Sequence, residues 1–197
     1  MKERPIIMGA ESVQAILDGR KTQTRRVVGK KALERFEFAP SGELIGSFNE
    51  SHPEWEIYPT IDDAPYRVGD RLWVRETYCT VMGGPPFGLC FYRADSESIV
   101  IETPYGTQYM SPDWKSPMFM PKAMSRITLE VTNICVERVQ DITSQEAIAE
   151  GMPIPYVARD EYEPISMYRE LWEKLNSKRG YPWESSPWVW VIEFKVV

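Results

Sequence analysis

Ile16-Leu17-Asp18-Gly19-Arg20-Lys21-Thr22-Gln23-Thr24-Arg25-Arg26 is the stretch in which the chain changes its period. Ahead of it, Glu11 to Asp18 reads as two turns of helix with Val13, Ile16 and Leu17 as the buried stripe, and Gly19 suits the left-handed residue just past a helix end. Beyond it, Thr22 to Val28 alternates and contains Thr and Val, which predicts a short strand. Pro5-Ile6-Ile7-Met8 reads as an edge strand with the proline at its start. The chain therefore opens β-α-β.

The same stretch is unusual in charge. Arg20, Lys21, Arg25, Arg26, Lys30 and Lys31 fall within residues 20–31 with no acid among them. The chain as a whole carries −6, so removing those six cations leaves −12 on everything else. A local cationic strip on an anionic body points to a site for a particular polar or anionic ligand. A general polyanion binder spreads its positive charge over a face.

With 197 residues, 43% of them apolar and 26% charged, the expectation is one domain spanning 1–197 with a sizeable core. No apolar run approaches the ~18–20 residues of a membrane span, and the N-terminus lacks the apolar centre of a secretory signal. Cys79, Cys90 and Cys135 are odd in number and widely spaced, and His52 is the single histidine. That excludes a disulfide framework and any familiar zinc spacing. The expectation is a cytoplasmic protein, from a bacterial host or phage-encoded, with no membrane association, metal or cofactor.

Further along, periodicity fails over about 29–65, where Pro, Gly, Ser and Asn punctuate the chain, and again over about 80–121. Both read as irregular insertions, the second holding one short hairpin around Leu89 to Arg93 and Ser98 to Glu102. Between them Arg71 to Thr77 predicts a strand with Leu72, Val74 and Glu76 on one face and Trp73, Arg75 and Thr77 on the other. Ser125 to Val139 alternates as one bent strand or two. Thr143-Ser144-Gln145-Glu146 has the capping-box pattern and opens a helix that Gly151 closes. Tyr162 to Lys178 reads as a longer helix with Met167, Leu171, Trp172 and Leu175 as its stripe, and Pro187 to Val197 as a central strand. Helices are too few for a doubly wound parallel sheet. The fold class is α+β: a small, mostly antiparallel β-barrel with peripheral helices.

Three segments together resemble the ASCH domain of the PUA-like superfamily, in the form carried by bacteriophages and prophages. They are Ile16 to Arg26, Val68 to Glu76, and Ile127 to Thr132 continuing through Asp141-Ile142 and Ala149-Glu150-Gly151 to Trp190-Val191-Ile192-Glu193-Phe194. They cover a little under half of the chain, and both insertions lie outside them. The resemblance implies a barrel of five or six strands with a cleft for a base or nucleoside. Small members of the family are amidohydrolases that convert N4-acetylcytidine to cytidine and acetate. The positions here that match their working Lys, Thr and Glu are Lys21, Thr24 and Glu150. Other relatives bind RNA or cleave it, so a non-catalytic RNA-binding module and a ribonuclease are the alternatives.

Amide hydrolysis needs a nucleophile, an acceptor for its proton and a donor for the leaving amine. Thr24 offers the hydroxyl. Lys21 takes its proton only if its pKa falls below the ~10.4 of a free lysine, and the neighbouring arginines and burial push it that way. Glu150 would protonate the departing nitrogen. Arg20, Arg25, Arg26, Trp73, Arg75 and Glu76 are the candidate substrate-binding residues. Arg26 reads as a structural or substrate-positioning cation, Trp73 with Arg75 as planes that stack on a base or Trp73 as a core-packing residue, and Glu76 as either a solvated strand end or an ion-pair partner of the Lys21/Arg26 cluster. Residues 21 and 24 of a regular strand face opposite ways, so either Lys21 lies in the loop after Gly19 or a bulge turns one of the two. The partner expected from all this is a nucleoside or RNA; oligomeric state is left open.

Overall fold

The computed structural model describes residues 1–38, 44–47, 64–81, 89–103, 106–154 and 163–197. His52 and most of the first insertion lie outside them. The main sheet has five strands: β1 (Glu3–Ile7), β2 (Gln23–Val27), β5 (Arg71–Arg75), β10 (Thr128–Arg138) and β11 (Trp188–Val196), in the spatial order β1-β5-β10-β11-β2. β1 and β5 are parallel; every other pairing in it is antiparallel. Pro5 lies in β1, the edge strand, where a missing N–H is tolerated. No ladder joins the two outer strands, β1 and β2, among the described residues. The α+β class holds, but the expected closed barrel is not seen: the sheet stays open between β1 and β2.

Alternation explains which way each strand faces. Leu72 and Val74 of β5 and Leu129 and Val131 of β10 are buried at 1% exposure or less. The β10–β11 register shifts between Val131 and Asn133. The extra residue lets Ile134 return to the core where strict alternation would have turned Asn133 inward. β10 is thus one strand with an irregularity. β11 is apolar on both faces because both are covered: Trp190, Ile192 and Phe194 pack in the core with Leu72 and Leu129, while Val189 and Val191 pack against Tyr168, Trp172 and Trp183. Each fully buried Leu or Ile there contributes about 1.5–3 kcal/mol.

Among the described residues there are four α-helices: α1 (Ala10–Leu17), α2 (Lys30–Leu33), α3 (Ser144–Ala149) and α4 (Glu163–Asn176). In α1 the buried residues are Val13, Ala15 and Ile16, whereas Leu17 is 48% exposed and does not belong to the stripe. The α4 stripe is also displaced. Pro164, Tyr168, Trp172 and Asn176 are buried, while Met167 and Leu175 are exposed. α3 opens with the anticipated capping box: Thr143 Oγ1 accepts from the Glu146 amide, and Glu146 accepts from the Thr143 amide.

The insertions carry small hairpins. β3 (Phe36–Phe38) pairs with β4 (Leu44–Ser47) in the first. In the second, β6 (Tyr78–Val81) pairs with β7 (Leu89–Tyr92), and β8 (Ile99–Thr103) with β9 (Gly106–Met110). The single expected hairpin, Leu89–Arg93 with Ser98–Glu102, is therefore wrong. Each of those runs takes a different neighbour, because β7 folds back on the continuation of β5 and Tyr92 donates to the Met124 carbonyl at 2.8 Å.

Candidate functional site

Gly19, at φ +73°, turns the chain sharply out of α1, and the amides of Arg20 and Lys21 both bond the Ala15 carbonyl at 2.9 Å. Lys21 is thereby held under the end of the helix, outside β2, which starts only at Gln23. This removes the facing problem of positions 21 and 24. Next, the Thr22 amide bonds the Ala149 carbonyl at 2.8 Å, while its own carbonyl accepts from the Phe194 amide at 2.8 Å. One residue thus connects the approach to β2 with the end of α3 and with β11.

Those main-chain bonds set Lys21 against Glu150. Lys21 Nζ lies 2.6 Å from Glu150 Oε2 and 2.6 Å from the Glu150 carbonyl oxygen, and both residues are 4% exposed. Gly151 follows at φ +101°, and a Cβ there would meet the Ala15 Cβ at 2.9 Å and the Lys21 Cβ at 3.3 Å. Only glycine lets the α3 turn press this closely on the lysine stem. Burial holds the Lys21 amine below the ordinary lysine range, against the opposing pull of the Glu150 carboxylate, and Arg26 and Arg25 add to the lowering.

Arg25 secures the other oxygen of Glu150. Its Nη1 lies 3.4 Å from Glu150 Oε1, its Nη2 2.5 Å from Glu137 Oε1 and 3.5 Å from Glu146 Oε1, and its Nε donates to Glu137 at 2.9 Å. The guanidinium also sits over the Tyr168 ring, 5.9 Å from its centroid. Burial raises the Tyr168 phenol well above the usual range and raises Glu137 as well, the latter against the pull of Arg25. Two cations therefore face three carboxylates, with Lys21, Arg25 and Glu150 buried and Glu137 and Glu146 partly exposed. A buried charge needs such partners, since unpaired it costs several kcal/mol.

A cleft of about 670 Å³ opens over this network, between the two outer strands of the sheet and α4. Lys21, Thr24, Arg25, Arg26 and Glu150 all line it, with Ile7 and Met8 from the β1 side and Tyr168 and Trp172 from α4. The Arg26 guanidinium reaches across to the Ile7 carbonyl at 2.9 Å, a side-chain bridge where the ladder is missing. Arg75 and Tyr66 line the cleft as well.

The remaining predicted residues lie elsewhere. Arg20 pairs with Asp18 at 3.0 Å and donates to the Gly151 carbonyl at 2.8 Å, on the wall of a different pocket. Trp73 stacks on Arg75, 4.6 Å from ring centroid to guanidinium, and is not among the lining residues. Glu76 is 1% exposed and bound by Arg126 through two bonds of 2.9 and 3.0 Å, so neither expected environment for it is found. The β5–β10 pairing, which sets Thr128 opposite Trp73, delivers Arg126 to it first. Arg25, although it lines the cleft, directs its guanidinium to Glu137, Glu146 and Glu150. Glu137 and Tyr168 gave no signal in sequence, being far from Arg25 along the chain. Glu146 was legible only as a capping residue. Among the described residues no three His, Cys, Asp or Glu side chains are grouped to hold a metal ion, and no helix is long and apolar enough to cross a membrane.

No protein-family model and no curated protein matches the chain. Among solved structures, the crystal structure of an ASCH domain from Lactobacillus crispatus is similar at a TM-score of 0.42 and 12% identity, over 99% of this chain and 79% of that one.

Proposed function

We propose that the cleft binds a nucleoside or an exposed RNA base and that the protein is an amidohydrolase acting on N4-acetylcytidine or a related N-acylated cytidine. The observation that carries this reading is the meeting of Lys21 Nζ and Glu150 Oε2 at 2.6 Å on the wall of a cleft that also presents Thr24. These are the three positions that the sequence resemblance to the ASCH domain singles out. The cleft volume falls within the ~300–1,000 Å³ of small-molecule sites.

In this mechanism Thr24 Oγ1 adds to the acyl carbonyl carbon while the neutral Lys21 amine takes the hydroxyl proton. The proton passes along the short contact to Glu150 and on to N4 of the cytosine as the C–N bond breaks. Water then hydrolyses the acyl-threonine and releases acetate. Burial of Lys21 favours its neutral form, which the first step requires.

Incubation with N4-acetylcytidine and chromatography for cytidine tests turnover. The rate is expected to rise with pH along a limb centred below the ~10.4 of free lysine, because the lowered amine becomes a competent base once it loses its proton. Lys21→Ala is expected to abolish the rate; equal rates for it and the wild type would remove Lys21 from the mechanism. One observation favours a second reading, a non-catalytic binding module: both Glu150 oxygens already accept from cations, as in a structural ion pair. Cytidine binding without release of cytidine from any acylated form would select that reading.

A further inference from the structure

The cations around the cleft fall into two groups. Lys21 and Arg25 are neutralised by Glu137, Glu146 and Glu150. Arg26 and Arg75 have no carboxylate partner among the described residues. Arg26 has one hydrogen bond to oxygen, to the Ile7 carbonyl, and a contact of 3.7 Å to the Met8 sulfur. Arg75 Nη1 donates to the Met118 carbonyl at 3.1 Å, and its Nε has no hydrogen-bond partner among the described residues. A guanidinium carries five N–H donors, so each of these two retains unused ones.

Both belong to one corner of the cleft. Ile7 pairs in register with Arg75 in the β1–β5 ladder, and it is the Ile7 carbonyl that Arg26 reaches from the other side. The end of β1 is thus flanked by two arginines, and both line the same cavity. Gly9 and Ser12, at the N-terminal end of α1, lie on that wall too, where the helix dipole adds partial positive charge. In a chain of net −6, two arginines beside the cleft with no carboxylate partner among the described residues are a recognition element for an anion, and their planar forks suit phosphate oxygens.

We infer that Arg26 and Arg75 form a phosphate subsite, so that the ligand of the cleft is a phosphorylated cytidine in preference to the bare nucleoside. This rests on the proposed function for the base half of the ligand. The shared chemistry is a phosphate on the ribose, which comes either as a free 5′-nucleotide or as the backbone of an RNA strand.

Calorimetric titration of the full chain with cytidine, cytidine 5′-monophosphate, a short cytidine-containing oligoribonucleotide and inorganic phosphate tests it. The expected result is at least tenfold tighter binding of the monophosphate than of cytidine. That preference should collapse to near unity in Arg26→Gln and in Arg75→Gln, and persist in Arg169→Gln, an exposed arginine paired with Glu184 and not among the lining residues. Oligoribonucleotide binding tighter than the monophosphate assigns the phosphate to RNA, and the reverse assigns it to a free nucleotide. Cytidine and its monophosphate binding equally would overturn the subsite while leaving the proposed function intact. Inorganic phosphate bound by wild type and lost in Arg75→Gln, with no cytidine species bound, would keep the subsite and overturn the base reading. Thermal melts of both glutamine variants separate a lost contact from a lost fold.

Discussion

Lys21 and Glu150 are buried together, and their separation decides what either can do. Glu150→Gln removes the charge partner of a buried amine and is expected to destabilise the protein by about 3–5 kcal/mol. The double variant Lys21→Met/Glu150→Gln should recover most of that loss, because nothing charged is then left unpaired at position 21. Urea unfolding of the two single variants and the double variant reads the coupling; additive losses would mean that the contact is incidental. Gly151→Ala is expected to cost about 1–3 kcal/mol, since it combines a positive φ with a Cβ placed 2.9 Å from that of Ala15. The same substitution should lower activity by displacing the lysine stem, and wild-type stability and rate would refute the close fit. Sequence named Lys21, Thr24 and Glu150 through resemblance and offered the turn after Gly19 as one of two ways to bring Lys21 and Thr24 to one side. It did not show that Arg25 pairs with glutamates, because Glu137 lies 112 positions away and no local pattern joins them.

Helix α4 shows why stripes drawn from apolar residues alone can slip. Its inward face carries Tyr168 beside Arg25, and Trp172, whose indole N–H donates to the Tyr181 carbonyl at 2.9 Å. That face meets a polar network, so a tyrosine and Asn176 sit where an aliphatic pattern would expect Met167 and Leu175. Trp172→Ala should therefore cost about 3–5 kcal/mol, whereas Leu175→Ala, at a position 55% exposed, should stay within about 0.5 kcal/mol. Comparable losses in chemical denaturation would restore the simpler stripe. Strands read more faithfully than helices: β5, β10 and β11 declare themselves by alternation or by a continuous apolar run. The hairpins of the second insertion do not, since two-stranded ribbons are chosen by which neighbour is near and not by the pattern within each run.

Across the whole molecule the sheet is tied at its outer edge as well as through its core. Asp70 accepts from the Lys2 amide at 2.7 Å and the Arg67 amide at 3.1 Å, joining the start of β1 to the turn before β5. Burial raises the Asp70 carboxyl, but the two amide bonds and Arg4 outweigh it, and the net position is below the ordinary carboxylate value. A carboxyl lowered on folding stabilises the native state above its unfolded pKa of ~3.9 and loses that contribution as pH falls through the folded value. Asp70→Asn should therefore unfold at lower urea than wild type at neutral pH, and the gap should narrow in acid. A gap independent of pH would assign the effect to packing alone.

The single residue Thr22, bonded through its backbone to Ala149 and to Phe194, stands next to Lys21 as Ala149 stands next to Glu150. Amides and carbonyls are common to nearly every amino acid, so the spacing of positions 21 and 150 is inherited from the scaffold, not from the side chains mounted there. The arrangement is a socket: other acid–base couples can be exchanged into it without redrawing the frame that aligns them.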